Sequence, residues 1–400
     1  MAVADLKGKR IVLGVTGGIA AYKSVEICRQ LCDLGAFVSP VMTKGSEHFI
    51  GRTTLSALAS EPVQTELWNA ENPIPHTRLG QAADVIVVAP ATAKLIGLYA
   101  AGISNDLLTA TLLATRAPVV LCPAMHTEMW EHPAVQENIA TLRRRGVIIV
   151  EPEAGRLAGG DIGQGRLATP ETIVARVLEA LTPADLLGTK VVVTAGGTRE
   201  PIDAVRVISN RSSGKQGHAI ATAAMQRGAS VVLITASELS APAGVEVIRV
   251  ETTAEMQDAL RAHTGGADVV VMAAAVADFR PVATRSNKIK KADGIPDIEL
   301  ERTPDLLAEL GASKSPSMTL VGFAAETENL EANAKDKLVR KNLDVIVAND
   351  VSAAQVGFGH DTNAVLILDR NGGLRSVDLA SKGTVAHAIL DSVVRHRAGR

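Results

Sequence analysis

A short β-branched run that breaks at paired glycines occurs twice in this chain, and that repeat limits the folds open to it. Lys9–Gly18 reads KRIVLGVTGG, and Lys190–Gly197 reads KVVVTAGG. An apolar run of this kind bounded by turn residues reads as a buried strand. Glycines directly after it let backbone amides turn toward an anion, and a following helix adds the positive end of its dipole. In the second copy a further small-residue loop, Ser209–Lys215, opens a helix through His218–Ile220. Two anion-friendly loops so close together point to a phosphate-rich ligand such as a nucleotide. The chain therefore reads as two nucleotide-type α/β units in tandem, cut just before Gly188.

Composition agrees with that division. Four hundred residues suit two domains, here 1–183 and 187–400. Hydrophobic residues make up 46% but aromatics only 2%, so Ala, Val, Leu and Ile fill the cores, as in parallel sheets covered by helices. A net charge of −2 makes no case for nucleic acid or an anionic membrane as partner. The N-terminus lacks an apolar signal core and no apolar run reaches about 18 residues, so a cytoplasmic protein is expected. Cys28 and Cys32 lie four apart on a predicted helix and read as packed small hydrophobes; Cys122 is the third cysteine.

The predicted order in the first unit is strand Arg10–Val15, helix Ala20–Leu34, then strands Ala36–Met42, Asp84–Pro90, Pro118–Pro123 and Val147–Val150. In the second unit, after the Lys190 strand, come helix Ala219–Arg227 and strands Ala229–Thr235, Val245–Val250, Asp268–Ala274, Thr319–Phe323, Asp344–Ala348 and Val365–Leu368. A last helix is expected from about Leu379 to His396. Strands alternating with helices imply two tandem Rossmann-like or flavodoxin-like, doubly wound parallel sheets. Ligands of such sheets bind at the carboxyl ends of the strands. There stand Thr16-Gly17-Gly18, Thr43-Lys44-Gly45, Ala91-Thr92-Ala93-Lys94 and Ser104-Asn105-Asp106 in the first unit. The second has Ala273–Phe279, Lys288-Ile289-Lys290-Lys291 and Phe323–Thr327, with Lys337 and Lys341 ahead of LDVIVANDV. Taken singly each loop also reads as turn chemistry, and KIKK as a solvated basic face. Neither first strand is followed by G-x-G-x-x-G, which argues against tandem nicotinamide-binding halves.

Together the first-half blocks GVTGGIAAYK, VIVVAPATAKLIGLYAAGISNDLL and PAMHTEMW resemble the flavin-dependent cysteine decarboxylases, with phosphopantothenoylcysteine decarboxylase the nearest likeness over roughly residues 8 to 180. The resemblance implies FMN held by Gly17, Gly18, Thr43, Ala91, Thr92, Ser104 and Asn105. It also implies substrate contacts from Met125, His126 and Met129, and an active-site histidine at His76. The implied reaction is redox-neutral: hydride transfer from the CH₂SH carbon to the flavin creates an electron sink, CO₂ leaves an ene-thiolate, and the electrons return. Two departures stand out. His126 replaces the family's usual Asn, and an imidazole cannot present a carboxamide's donor and acceptor together. Gly159, in Ala158-Gly159-Gly160-Asp161, replaces a cysteine acid carried on a flexible flap. The ene-thiolate must then take its proton from another donor, with Asp161, a water and Cys122 as candidates, and Gly159→Cys is expected to speed the reductive step.

The second-half blocks GGTREPIDAVRVISNRSSGKQG, AAAVADFRP, KIKK, GFAAETE and RKNLDVIVAND resemble phosphopantothenate–cysteine ligase over roughly residues 187 to 400. That order of halves is the one found in bifunctional coenzyme A biosynthesis proteins. The likeness implies activation of 4′-phosphopantothenate by CTP to an acyl-cytidylate, then attack by L-cysteine. Lys288 is expected to neutralise charge on the triphosphate, Asn210 to serve the amide-forming half-reaction, and Arg206 to hold substrate. CTP contacts are expected from Ala273, Ala274, Ala275, Asp278, Pro304, Asp305, Leu306, Leu307, Phe323, Lys337 and Lys341. Mg²⁺ is expected to ride on the nucleotide, since no carboxylate cage is evident. The two likenesses also imply trimeric contacts in the first half and dimeric contacts in the second, and with them a homododecamer. The alternative of a non-catalytic FMN-binding regulatory protein would need neither AAAVADF nor KIKK.

Overall fold

The computed structural model describes residues 6–68, 73–290, 297–326, 329–350 and 360–399. Lys291 of KIKK and Thr327 of GFAAETE lie outside the described residues, as do residues 351–359. The chain divides into two compact units, with Pro183 closing one and Ala184 opening the other.

The first unit runs β1 (Arg10–Val15), α1 (Lys23–Asp33), β2 (Phe37–Met42), α2 (Arg52–Ser56), α3 (Pro75–Ala82), β3 (Val85–Ala91), α4 (Ala93–Ala101) and α5 (Leu107–Ala114). It continues with β4 (Val119–Pro123), α6 (Thr127–Glu131), α7 (Pro133–Arg144), β5 (Ile148–Ile149), β6 (Glu153–Arg156), β7 (Ile162–Arg166) and α8 (Pro170–Leu181). Its sheet has the order β2-β1-β3-β4-β5 and every pairing is parallel. All seven residues of β3 are buried, because helices cover both faces. Successive side chains serve opposite layers. Val85, Val87 and Ala89 pack toward Ile27 and Leu31 of α1 and Ile173 and Val177 of α8. Ile86 and Val88 pack toward Leu95, Leu108 and Ile139 on α4, α5 and α7.

The second unit runs β8 (Lys190–Ala195), β9 (Arg199–Pro201), β10 (Val207–Ser209), α9 (Lys215–Gln226), β11 (Ser230–Thr235), β12 (Glu246–Arg249), α10 (Thr253–His263) and β13 (Val269–Met272). Then come β14 (Phe279–Pro281), β15 (Leu300–Arg302), α11 (Leu306–Ser313), β16 (Thr319–Glu326), α12 (Leu330–Arg340), β17 (Val345–Asp350), β18 (Thr362–Asp369), β19 (Leu374–Ser381) and α13 (Lys382–Ala398). The main sheet has the order β12-β11-β8-β13-β16-β17-β18-β19. The parallel core expected from the sequence is present, but β18 and β19 extend it as an antiparallel edge.

Several expectations need correction. The last helix does not start near Leu379, because Leu374–Ser381 pairs with β18 and the Ser381 hydroxyl, accepting from the Thr384 amide at 3.1 Å, caps a helix that begins at Lys382. The helix expected from Ala219 starts earlier, at Lys215, where Gly214 turns the chain with φ 79°. The Val147–Val150 run forms a strand over only Ile148–Ile149. Three short hairpins, β6–β7, β9–β10 and β14–β15, carry no alternating apolar pattern and were not expected. No helix among the described residues is long and apolar enough to cross a membrane.

Candidate functional sites

Each sheet changes winding direction once, between β1 and β3 in the first unit and between β8 and β13 in the second, and a crevice forms there outside the strand ends. In the first unit a single hydroxyl organises that point. Buried Thr16 donates to the Pro90 carbonyl (2.7 Å) and accepts from the Thr92 amide (3.0 Å), tying the loop after β1 to the one after β3. Ser24 on α1 donates to the Ala89 carbonyl at 2.6 Å. The loops after β1 and β2 lie so close that a Cβ on Gly17 would come within 2.6 Å of the Gly45 carbonyl carbon. Thr43 is drawn in by its amide, which donates to the Val15 carbonyl at 3.1 Å. Thr92 caps α4, and Gly14 leaves room for Leu108 in the first turn of α5, the helix that follows the exposed Ser104-Asn105 segment. Gly17, Gly18, Thr43, Ala91 and Thr92 are therefore gathered at one edge, and Ser104 and Asn105 lead into the helical turn that packs on β1 there.

His76 follows Pro75 in the first turn of α3. Arg78, in the same turn, donates to the Gln64 side chain, and the Gln64 carbonyl receives the Met42 amide at the end of β2. The first turn of α3 thus reaches the same edge. Among the described residues His76 Nδ1 is buried without a hydrogen-bond partner, an unmet donor or acceptor that a ligand could complete. The segment after β4 joins them, since the Ala124 amide donates to the Ala91 carbonyl and the Met125 amide to Gly165 on β7. Met129 is exposed while Trp130 is buried. His126 Nδ1 stands 3.1 Å from Glu128 Oε2. Cys122 is excluded as a proton donor: it is fully buried among core side chains, and burial pushes its thiol far up.

In the second unit two threonines do the corresponding work. Thr194 accepts from the Ala274 amide at 3.1 Å and buried Thr198 accepts from the Ala277 amide at 2.9 Å. Asn210 donates to the carbonyls of Ala275 (3.3 Å) and Val276 (3.0 Å), and a Cβ on Gly197 would meet the Asn210 carbonyl at 2.6 Å. Ala273–Ala275 and Asn210 are thus one assembly. The Thr303 amide donates to the Asp278 carbonyl, which leads through Pro304 to Asp305 at the start of α11. Lys341 pairs with Asp305 at 2.8 Å and Lys337 donates to the Phe323 carbonyl at 2.9 Å. Burial pushes the Asp305 carboxyl up, but Lys341 and the Ala308 amide outweigh it and hold it below the usual carboxylate range. Leu306 and Leu307 face the core rather than solvent.

Arg206 is reached through a residue the sequence reading passed over. Asp203, its side chain fully enclosed, accepts from the amides of Val205 and Arg206 (2.8 Å each) and of Ile289 (3.1 Å), and pairs with Arg206 Nε at 3.1 Å. Burial pushes its carboxyl up, yet those three amides and the guanidinium hold it at about 2. Arg206 also donates to the Ile289 carbonyl at 2.5 Å. The exposed Lys288 is thus fixed through its neighbour Ile289. Glu200 is likewise buried, accepting from the amide and hydroxyl of Thr253. A cavity of about 520 Å³ opens between Gly197, the Ser209–Ser213 loop and residues 236–239. Its Arg211 belongs to the Ser209–Lys215 loop noted from sequence, whereas Arg199 and Ser237 were not singled out, although the 236–239 loop follows β11 beside β8 at the same edge. Among the described residues no group of three or more His, Cys, Asp or Glu could hold a metal ion.

The family model described as "Flavoprotein" matches residues 2–182, and the one described as "DNA/pantothenate metabolism flavoprotein C-terminal domain" matches residues 186–396. The coenzyme A biosynthesis bifunctional protein CoaBC of Mycobacterium tuberculosis is 48% identical over 409 aligned residues, covering 98% of this chain and 97% of that protein. Its counterpart in Bacillus subtilis is 45% identical over 395, covering 97% of each. A crystal structure of the C-terminal domain of a CoaBC protein is 38% identical over 54% of this chain and 100% of that one, with a TM-score of 0.47.

Proposed function

This chain belongs to the family of coenzyme A biosynthesis bifunctional proteins, and we propose on that footing which residues carry its two reactions. Its first half is a flavoprotein decarboxylase acting on 4′-phosphopantothenoylcysteine and its second a phosphopantothenate–cysteine ligase. The single observation that carries the residue assignment is that each half brings its motif residues to the winding switch of its own sheet, through a threonine hydroxyl between two loops.

In the first half the donors at the switch are neutral hydroxyls, a carboxamide and the amides opening α4, a set that fits the phosphate and ring edges of FMN. Gly17, Gly18, Thr43, Ala91, Thr92, Ser104 and Asn105 would hold it. Bound there, FMN supplies the hydride acceptor and donor that make decarboxylation possible. His76 binds the substrate carboxylate or handles the thiol proton, its Nδ1 being without a hydrogen-bond partner among the described residues and so open to either task. Met125, His126 and Met129 line the substrate side.

In the second half, Lys288 neutralises charge as CTP and 4′-phosphopantothenate form the acyl-cytidylate and release pyrophosphate. Asn210 then serves the attack of the cysteine amine, with Arg206 holding the acid. Ala273, Ala274, Ala275, Asp278, Pro304, Asp305, Phe323, Lys337 and Lys341 surround the nucleotide, while Leu306 and Leu307 contribute backbone at the start of α11. Mg²⁺ arrives on the triphosphate. The proposal extends to a cytoplasmic homododecamer built from trimeric contacts of the first half and dimeric contacts of the second, which a solution mass would check.

The test is direct. Purified protein should be yellow, with flavin absorbance. It should release pyrophosphate from CTP, more readily than from ATP, when given 4′-phosphopantothenate, and should form amide only when cysteine is added. Colourless protein that leaves CTP intact overturns the reading.

A further inference from the structure

The β6–β7 hairpin is seated along the segment after β4 by glycines that no other residue could replace. A Cβ on Gly165 would lie 2.1 Å from the Met125 carbonyl oxygen, and one on Gly163 would lie 2.2 Å from Thr127 Oγ1. Gly165 also accepts the Met125 amide through its carbonyl at 3.0 Å. Residues 163 and 165 share one face of the strand, so that face lies flat on Met125–Thr127. The tip turns over tightly, with Leu157 donating to the Asp161 carbonyl (2.8 Å) and Gly160 to the Leu157 carbonyl (3.0 Å).

At that tip Gly159 aims its missing side chain at His126. A Cβ there would stand 3.0 Å from His126 Nε2 and 3.2 Å from Asp161 Oδ2. The ring is set from its other nitrogen, Nδ1, by Glu128. Both positions at which this chain departs from the flavin-dependent decarboxylases therefore meet at one point in space. The imidazole occupies the approach that a side chain at 159 would use.

We propose that His126 Nε2 is the proton donor that completes decarboxylation, acting from the place a Gly159 side chain would fill, with Glu128 as its positioning residue. This rests on the decarboxylase reading given above. In the step, the Nε2–H bond breaks and its electron pair stays on the ring. The ene-thiolate's carbon–carbon π pair forms the new C–H bond at the carbon that lost CO₂, while a sulfur pair closes the C=S bond. The resulting thioaldehyde would be reduced by the hydride that FMN supplies when bound, and the thiolate so formed gains a solvent proton. Between turnovers Nε2 regains its proton from solvent. Asp161 flanks the same point, whereas the buried Cys122 thiol cannot reach it.

The test uses the full-length flavin-loaded protein with 4′-phosphopantothenoylcysteine, and counts CO₂ while identifying the organic product by mass. The quantity read is the share of released CO₂ that ends as ene-thiol, lacking two hydrogens, rather than as thiol. His126→Asn should raise the ene-thiol to thiol ratio by about 10²-fold, the usual worth of a positioned general acid. His126→Gln is read in the same way. His126→Asn/Gly159→Cys should restore the thiol as main product, because a thiol then supplies an acidic proton from the same direction without meeting the ring. Gly159→Cys alone, with the ring 3.0 Å from its Cβ, should not exceed the parent, which corrects the gain expected from the sequence, because the imidazole already fills that approach. Glu128→Gln should shift the product ratio a few-fold toward ene-thiol, which a merely structural contact would not do. An unchanged ratio in both His126 variants overturns the proposal, as does absence of rescue by the cysteine. So does loss of CO₂ release in both variants, which would put His126 before the proton step. A parent protein that releases no CO₂ instead overturns the decarboxylase reading itself.

Discussion

The two units solve one problem with different materials. Both join the loops across the winding switch with a buried threonine hydroxyl, Thr16 in the first and Thr198 in the second. Around Thr16 the assigned donors are hydroxyls, a carboxamide and backbone. Around Thr198 the fabric is ionic: buried Glu200 and Asp203 accept backbone amides, Asp203 pairs with Arg206, and Lys341 pairs with Asp305. On the proposed assignment, the contrast follows from what each site would hold. A resident cofactor needs one stable cradle. A triphosphate that arrives, loses pyrophosphate and leaves would need cations held in place by carboxylates, as Arg206 is by buried Asp203 and Lys341 by Asp305.

If that division is right, charge substitutions should act on one half alone. Lys288→Ala is the largest expected effect: pyrophosphate release falls by about 10²–10³-fold or more while flavin absorbance is retained, in line with losing one electrostatic donor. A parallel loss of flavin would break the comparison. Asn210→Ala comes next. It should still release pyrophosphate in a single turnover but make little amide, and failure to release any would move Asn210 into the first half-reaction.

The matched pair Thr16→Val and Thr198→Val tests the shared device. Each leaves buried backbone groups unpaired, at a cost of about 1–3 kcal/mol, and each should lower only its own reaction. Flavin retention reads the first and pyrophosphate release the second. Equal damage to both readouts from either variant would end the claim of independent construction.

The smallest effect is read from the slope of stability in the acid range. The folded Asp203 carboxyl sits at about 2, below an unfolded value of about 3.9. Its contribution to stability is therefore present above the unfolded value and lost as pH falls through about 2. Asp203→Asn should remove that part of the acid destabilisation of the second unit, seen in urea midpoints measured from about pH 5 downward. Flavin fluorescence reports the first unit over the same range and should be unaffected.

Strands and helices of the sheet cores were legible because a fully buried Val, Ile or Leu contributes roughly 1.5–3 kcal/mol, and such residues recur with a readable period. Arg10–Val15 and its copy from Lys190 came out where expected. The hairpins were not legible. Glu153–Arg156 and Ile162–Arg166 are largely glycine and charge, and what holds the second strand is the close approach of Gly163 and Gly165 to another loop. Asp203 and Glu200 look like surface carboxylates in REPID until the chain folds over them. Leu374–Ser381 reads as the approach to a helix because its β pairing depends on a partner strand.

By itself the sequence determined that this chain forms two α/β units, roughly where their buried strands lie, and which family it belongs to. Those properties follow from local period and from short-range turn residues, which act over a few positions. Only the tertiary structure decided that Asp203 binds Lys288's segment to Arg206, and that His126, Asp161 and the empty place beside Gly159 converge. Such meetings depend on distances between segments far apart in the chain, which packing sets and no local pattern encodes.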